Sequence, residues 1–129
     1  MKFGVFGIIF DKRKRVLLCH RRDMDLWNLP GGGLRDKESL CEGAKREVKE
    51  ETGLNIEIVR ISNLYFKPKE KEIVFCFISR IKSGKIKINE EADEIKYFDF
   101  KKLPENIVKN HIQRIKDAVA SNAAAAKEF

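Results

Sequence analysis

Apolar residues fall in short runs separated by charged ones. Residues 3–10 and 15–20 are both rich in Val, Ile, Leu and Phe. They predict two strands joined as a hairpin across the charged turn at 11–14. Residues 21–28 read as a polar loop that ends at Leu29-Pro30, and Gly31-Gly32-Gly33 then breaks regular structure. Residues 39–52 are good helix formers throughout, with Gly53 where a C-terminal cap belongs. Residues 54–64 have strand character, with Ile56, Ile58 and Ile61 set among polar positions. Residues 73–81 form another strand, and its unbroken row Val74, Phe75, Cys76, Phe77, Ile78 suggests burial on both faces. A polar stretch at 89–93 leads into a short strand at 95–100, and Leu103-Pro104 turns the chain. Residues 105–120 then read as an amphipathic helix with Ile107, Ile112, Ile115 and Val119 on its apolar stripe. Strands and helices in this mixed order predict a layered α/β (α+β) domain.

At 129 residues, 43% hydrophobic and 36% charged, the chain suits one packed domain, placed at residues 1–120. Residues 121–129 form a low-complexity tail, which either extends the last helix or is an appended remnant. No apolar run approaches the roughly 18–20 residues of a membrane span, and residues 3–10 lack the cleavage site of a signal peptide. Cys19, Cys41 and Cys76 have no zinc spacing and read as small buried hydrophobes of a cytoplasmic protein. The net charge of +7 allows anionic partners: nucleotides, nucleic acids or acidic surfaces. The lysines are scattered, however. Lys67, Lys69 and Lys71, like Lys85 and Lys87, alternate as on the wet face of a strand.

The informative stretch is 32–54. On the predicted helix, Glu47, Glu50 and Glu51 stand at i, i+3 and i+4, on one stripe. Like charges so placed repel by a few tenths of a kcal/mol even when exposed, roughly the cost an ordinary acidic surface tolerates. A divalent cation among the oxygens gives the cluster a second reading, because carboxylates are the hard ligands that Mg²⁺ and Mn²⁺ prefer. Arg46, four residues before Glu50, can pair with it along the helix. Glu38 lies at the helix entrance, where negative charge is favourable.

The spacing decides between the two readings. Gly32, five residues, Glu38, seven residues, then Arg46-Glu47-Val48-Lys49-Glu50-Glu51-Thr52-Gly53-Leu54 resembles the Nudix box at every specified position. Such a match arises by chance at roughly 10⁻⁸ per chain of this length. The approach, residues 16–33, and the ending, residues 91–98 with Leu103-Pro104, are similar to the family as well. Two positions depart from common usage: Arg35 stands where many members carry an acid, and Lys37 where many carry glycine.

The resemblance implies a Nudix fold, a mixed β-sheet sandwiched between helices, and hydrolysis of a phosphoanhydride in a nucleoside-diphosphate-linked substrate with Mg²⁺ or Mn²⁺. It implies Glu47, Glu50 and Glu51 as metal ligands, with the carbonyl of Gly32 a further one. Glu38 would bind a second ion through water or orient the helix. Glu47 and Glu50 would share in catalysis, and Arg46 would position the carboxylates. A base from outside the box falls to Glu94, with Glu91 the alternative. Arg21 or Arg22 is expected to grip a phosphate. Phe66 or Trp27 would stack on a base if not committed to the core, and His20 reads as a polar strand end.

Minimal length favours a nucleoside triphosphate as substrate. Pro68 lies roughly where ADP-ribose-cleaving relatives place a proline, so an ADP-ribose or dinucleoside polyphosphate pyrophosphatase stays open. The positive charge keeps an RNA 5′ pyrophosphohydrolase open, without an RNA-recognition signature to favour it. A non-catalytic nucleotide sensor is disfavoured, because every box glutamate is present. No membrane partner is expected, and monomer and homodimer are both compatible with the sequence.

Overall fold

The computed structural model describes residues 1–127; the tail's last two positions, Glu128 and Phe129, lie outside the described residues. Strands β1 (Lys2–Ile9), β2 (Arg15–Arg21), β3 (Trp27–Asn28) and β4 (Gly31–Gly33) precede helix α1 (Leu40–Thr52). Strands β5 (Leu54–Lys67), β6 (Glu72–Gly84) and β7 (Ala92–Asp99) follow, then helix α2 (Lys109–Lys127). They build a four-stranded sheet, β4-β1-β6-β5, and a three-stranded sheet, β3-β2-β7. The first is mixed, since β1 runs parallel to β6 and the remaining pairs are antiparallel.

The expected hairpin does not form. Strands β1 and β2 lie in different sheets and share one corner bridge, Phe10 to Val16. Both strands are buried on both faces, so each serves as a central strand with its own two neighbours. The corner is closed by Asp11, whose carboxylate accepts from the backbone N–H groups of Arg13 and Arg15 and from Arg15 Nε. The three-glycine run is likewise no break. Gly31, Gly32 and Gly33 pair with Phe6, Val5 and Gly4, which makes the run a short edge strand.

Alternate residues of β2 enter different parts of the core. Val16 and Leu18 pack with Ile8, Val74, Ile78 and Ile115 on the α2 side, while Leu17 and Cys19 pack with Ile9, Ile56 and Val48 of α1. Val48 is fully buried, which contributes about 1.5–3 kcal/mol toward holding α1 on the sheets. The helix starts where Ser39 Oγ accepts from Glu42 N–H at 3.1 Å, a cap worth about 1 kcal/mol. It stops at Gly53, whose left-handed φ of 83° closes the last turn onto the Lys49 carbonyl.

Strands β5 and β6 run several residues beyond the predicted bounds because each supplies the other's hydrogen bonds along its length. Helix α2 begins at Lys109 and not near 105. Residue Ile107 enters the core from a loop that pairs with Trp27. The helix then continues into the low-complexity tail as far as Lys127. Cys19 and Cys76 are buried, whereas Cys41 is exposed near the start of α1, contrary to its expected burial. Lys69, Lys71, Lys85 and Lys87 are exposed, but on turns and loops and not on strand faces.

Candidate active site

The C-terminal half of α1 carries its glutamates beside the glycine strand. Arg46 stands at the centre. Its Nε and Nη2 donate to Glu38 at 2.6 and 2.9 Å, Nη1 donates to Glu47 at 3.0 Å and Glu50 at 3.4 Å, and Nη2 also reaches the Gly33 carbonyl at 3.1 Å. One guanidinium thus ties the helix entrance, the helix stripe and the glycine strand together. The Arg46 hydrogen bonds hold the Glu38 carboxyl well down, at about 2. Gly32 leaves the room for this. A Cβ there would sit 2.8 Å from the Glu47 carboxyl group.

Glu51 occupies a different setting. It turns inward, and its Oε2 accepts from the Gly31 N–H at 2.5 Å. Burial pushes this carboxyl up to about 8, and the charges of Glu47, Glu91 and Glu50 act in the same direction, against the Gly31 bond. Burial also raises Glu47, although Arg46 opposes the shift. Four carboxylates therefore influence one another here, the condition a hard divalent cation relieves. Among the described residues no three acidic, histidine or cysteine side chains converge on one point, because Arg46 holds Glu47 and Glu50 while Glu51 faces Gly31. The carboxylate donor set fits a hard cation by its chemistry.

Beside Glu51 opens a cleft of about 520 Å³ between the end of β2, the glycine strand and the start of β7. Arg21, Arg22 and Glu91 line it. Arg21 is spent on Asp23 through two bonds of 2.8 and 2.7 Å. The described bonds engage Arg22 through Nε alone, on the Asn89 carbonyl at 2.6 Å. Glu94 is not brought to the cleft: it lies exposed on β7 and meets Lys96 at 3.4 Å. Phe66 is not brought there either. It is 62% exposed, on β5, opposite Ile73. Trp27 belongs to the core, with His20 and Phe98 edge-on against its ring.

Three features had no clear signal in the sequence. His20 is clamped between Asp25 and Asp93 at 2.7 Å each, and both bonds raise its pKa. Asn28 lines the cleft with a buried Oδ1 that has no hydrogen-bond partner among the described residues. A buried acceptor of that kind is costly unless something donates to it. Asn89 organises the loop before β7, donating to the Glu51 carbonyl at 2.7 Å and accepting from Glu91 and Ala92 N–H. Its side chain carries Glu91 into the cleft.

Two sheets, one of them mixed, packed with two helices, and an acidic helix stripe abutting an arginine-lined cleft define a class of phosphate-processing hydrolase. The NUDIX domain matches residues 2–118, and the chain belongs to the Nudix hydrolase family. It is 33% identical over 115 residues to a putative 8-oxo-dGTP diphosphatase of Bacillus subtilis, covering 88% of this chain and 77% of that protein. It is 32% identical over 121 residues to an ADP-ribose pyrophosphatase of Methanocaldococcus jannaschii, covering 88% and 70%. Among solved structures, an ADP-ribose pyrophosphatase of Streptococcus suis superimposes with a TM-score of 0.80 at 25% identity, covering 96% of this chain and 91% of that one. Nudix hydrolases generally use divalent metal ions, and among the described residues no helix is long and apolar enough to cross a membrane.

Proposed function

We propose that this chain is a nucleoside triphosphate pyrophosphohydrolase acting with Mg²⁺ or Mn²⁺, in a single domain spanning about residues 1–120. The observation that carries the reading is the junction of the half-buried Glu51 with a cleft lined by Arg21, Arg22 and Glu91. Glu47, Glu50 and Glu51 would hold the cation. When bound, it supplies charge neutralisation on the bridging phosphates and lowers the pKa of water.

The chain's own residues account for the rest. Arg22, with its Nη atoms uncommitted, binds a phosphoryl group. Glu91 takes the proton from the attacking water as its oxygen bonds phosphorus, and the anhydride P–O bond breaks to release pyrophosphate and a nucleoside monophosphate. Glu91 suits this role better than Glu94 because it lines the cleft. Two relatives are named for 8-oxo-dGTP and ADP-ribose respectively. The cleft here, lined by Arg21, Arg22 and Glu91, suits a nucleotide with its phosphates.

The test is a substrate panel with Mg²⁺: nucleoside triphosphates with intact and oxidised bases, ADP-ribose, and triphosphorylated RNA. The expected result is pyrophosphate release from a triphosphate, abolished by EDTA. Glu51→Gln and Glu91→Gln should each lower kcat at least about 10²-fold, the scale of general base loss. Full activity in EDTA, or preference for RNA with a steep salt dependence, sinks the reading.

A further inference from the structure

Two stretches far apart in the chain line the arginine cleft. The end of β2 with the loop after it supplies Arg21, Arg22 and Asp23, and the start of β7 with the loop before it supplies Glu91 and Ala92. His20 lines the cleft too and reaches both stretches. Its Nε2 meets Asp25 Oδ1 and its Nδ1 meets Asp93 Oδ1, each at 2.7 Å. Asp25 follows Arg22 in the first stretch, and Asp93 follows Glu91 in the second. The β2–β7 ladder shifts register between His20 and Arg21, so regular pairing is interrupted where the cleft begins.

A neutral imidazole has one N–H and one bare nitrogen, and a bare nitrogen repels a carboxylate oxygen. Both bonds stand together with ionised carboxylates only when both ring nitrogens carry a proton. The surroundings favour that form. The Asp25 bond raises the pKa of His20 most and the Asp93 bond next, against the effect of burial. On β7, Glu94 stands opposite His20 in register and adds a negative charge, which Lys96 meets at 3.4 Å. Lys96 itself lies 5.4 Å from the centre of the Trp27 ring, and that ring contacts His20 edge-on. Arg21, next along β2, is paired with Asp23. Asn106 donates to the same Asp25 oxygen at 2.9 Å and has no proton to titrate.

We propose that His20, as the imidazolium, is a positioning residue that staples the loop after β2 to the start of β7 and so sets Arg22 and Glu91 for a phosphorylated substrate. This deepens the hydrolase reading and rests on it for the use of the cleft. Two further bonds join the same stretches, from Arg22 N–H to the Glu91 carbonyl at 2.9 Å and from Arg22 Nε to the Asn89 carbonyl at 2.6 Å. The staple therefore acts on the segment that aims the Arg22 guanidinium. When the ring gives up its second proton, one nitrogen faces a carboxylate without a hydrogen. One side of the cleft then draws back, and the grip on the phosphates loosens.

The test joins nitrogen-15 NMR of the imidazole rings to calorimetric binding of an α,β-methylene-bridged, non-hydrolysable deoxyguanosine triphosphate analogue in Mg²⁺. The chain has two histidines, so the His20 ring is the one whose signals vanish in His20→Gln. Both of its nitrogens should be protonated at about pH 7, where an ordinary imidazole is largely neutral. Glutamine copies the neutral ring, with an amide donor and a carbonyl acceptor. His20→Gln is expected to bind the analogue about tenfold more weakly than wild type near pH 6, the scale of one hydrogen bond to a charged group, and within about twofold near pH 9. Glu51 and the phosphates titrate alike in both proteins, so the closing gap reports the ring. Asp25→Asn keeps an acceptor and removes one charge, so its ring should lose the proton, and its binding weaken, at lower pH than in wild type. These two shifts decide the matter alone if His20→Gln does not fold. A singly protonated His20 at about pH 7, an affinity gap that is absent or equal at both pH values, or a wild type that does not bind the analogue overturns the staple. Hydrolysis of the natural triphosphate reports separately on the proposed activity. Its absence alongside the expected titration and binding differences would sink that activity and leave the staple standing.

Discussion

The Arg46 guanidinium grips Glu38 with two nitrogens, 2.6 and 2.9 Å from the carboxylate oxygens, across eight residues of chain. A lysine cannot reproduce this fork. The same guanidinium sets Glu47, Glu50 and the Gly33 carbonyl, so its loss should blur the geometry of the whole stripe. Arg46→Lys is expected to lower kcat about 10²-fold, the scale of a 1 Å misplacement. The double variant Arg46→Lys/Glu38→Gln should be little worse than Arg46→Lys alone, because the two groups act as a unit. Steady-state kinetics on the four proteins checks this, and fully multiplicative losses would argue against it.

Arg35 reaches Glu50 with Nη2 at 3.3 Å, and both side chains are exposed. A cation fixed beside a carboxylate competes with a metal for the same oxygen. Arg35→Ala should therefore lower the Mg²⁺ concentration for half-maximal activity, by about two- to fivefold, the span of an exposed ion pair. A metal titration of kcat decides it. An unchanged or higher requirement would show that Arg35 does not restrain Glu50.

Lys37 holds a left-handed φ of 66° in the turn before α1. That conformation costs a side-chain-bearing residue about 1–2 kcal/mol. Lys37→Gly is expected to recover part of this, raising the unfolding free energy by about 0.5–1 kcal/mol after the added freedom of glycine in the unfolded chain. Urea denaturation measures it, and destabilisation would mean that the lysine makes a compensating interaction.

His111 is buried on α2, and its Nδ1 accepts from the Leu29 N–H at 2.9 Å, just ahead of the glycine strand. Burial lowers its pKa to about 3, with help from the charges of Arg114 and Lys67, from an ordinary 6.5. The unfolded chain thus binds the extra proton first. This contribution is fully present above about pH 6.5 and is lost as pH falls toward 3. His111→Asn keeps an acceptor near the same point and removes the titration. Its stability curve between pH 4 and 7 should be flatter than the wild-type one in otherwise matched urea melts. Parallel curves would assign the acid loss to the carboxylates.

Thermal melts address the metal independently of turnover. The charges of Glu47, Glu91 and Glu50 raise the proton affinity of Glu51, so a cation that binds the folded state should raise Tm as its concentration increases. The shift should shrink in Glu51→Gln. An unchanged midpoint in saturating Mg²⁺ would falsify the ion site.

What the sequence determined by itself was local. The i, i+3, i+4 glutamate stripe and the Gly53 stop depend on neighbours within one or two turns, so local pattern predicted the helix at 39–52. The strand character of 73–81 was legible for the same reason, as a run of apolar residues buried on both faces. Strand partners depend on distant residues, and there local pattern failed. Phe6 and Val5 made a strand of the glycine run, and double-sided burial sent β1 and β2 to separate sheets. The cleft residues follow the same rule. Glu91 and Glu94 are three positions apart and both exposed, and the Asn89 turn against the end of α1 sets Glu91 on the cleft that Glu51 lines while Glu94 lies away from it. Asn28 read as loop polarity, whereas in the fold its side-chain oxygen is buried without a partner among the described residues. Composition records how many such groups a chain has, and tertiary contact decides which of them lose water and must find another partner.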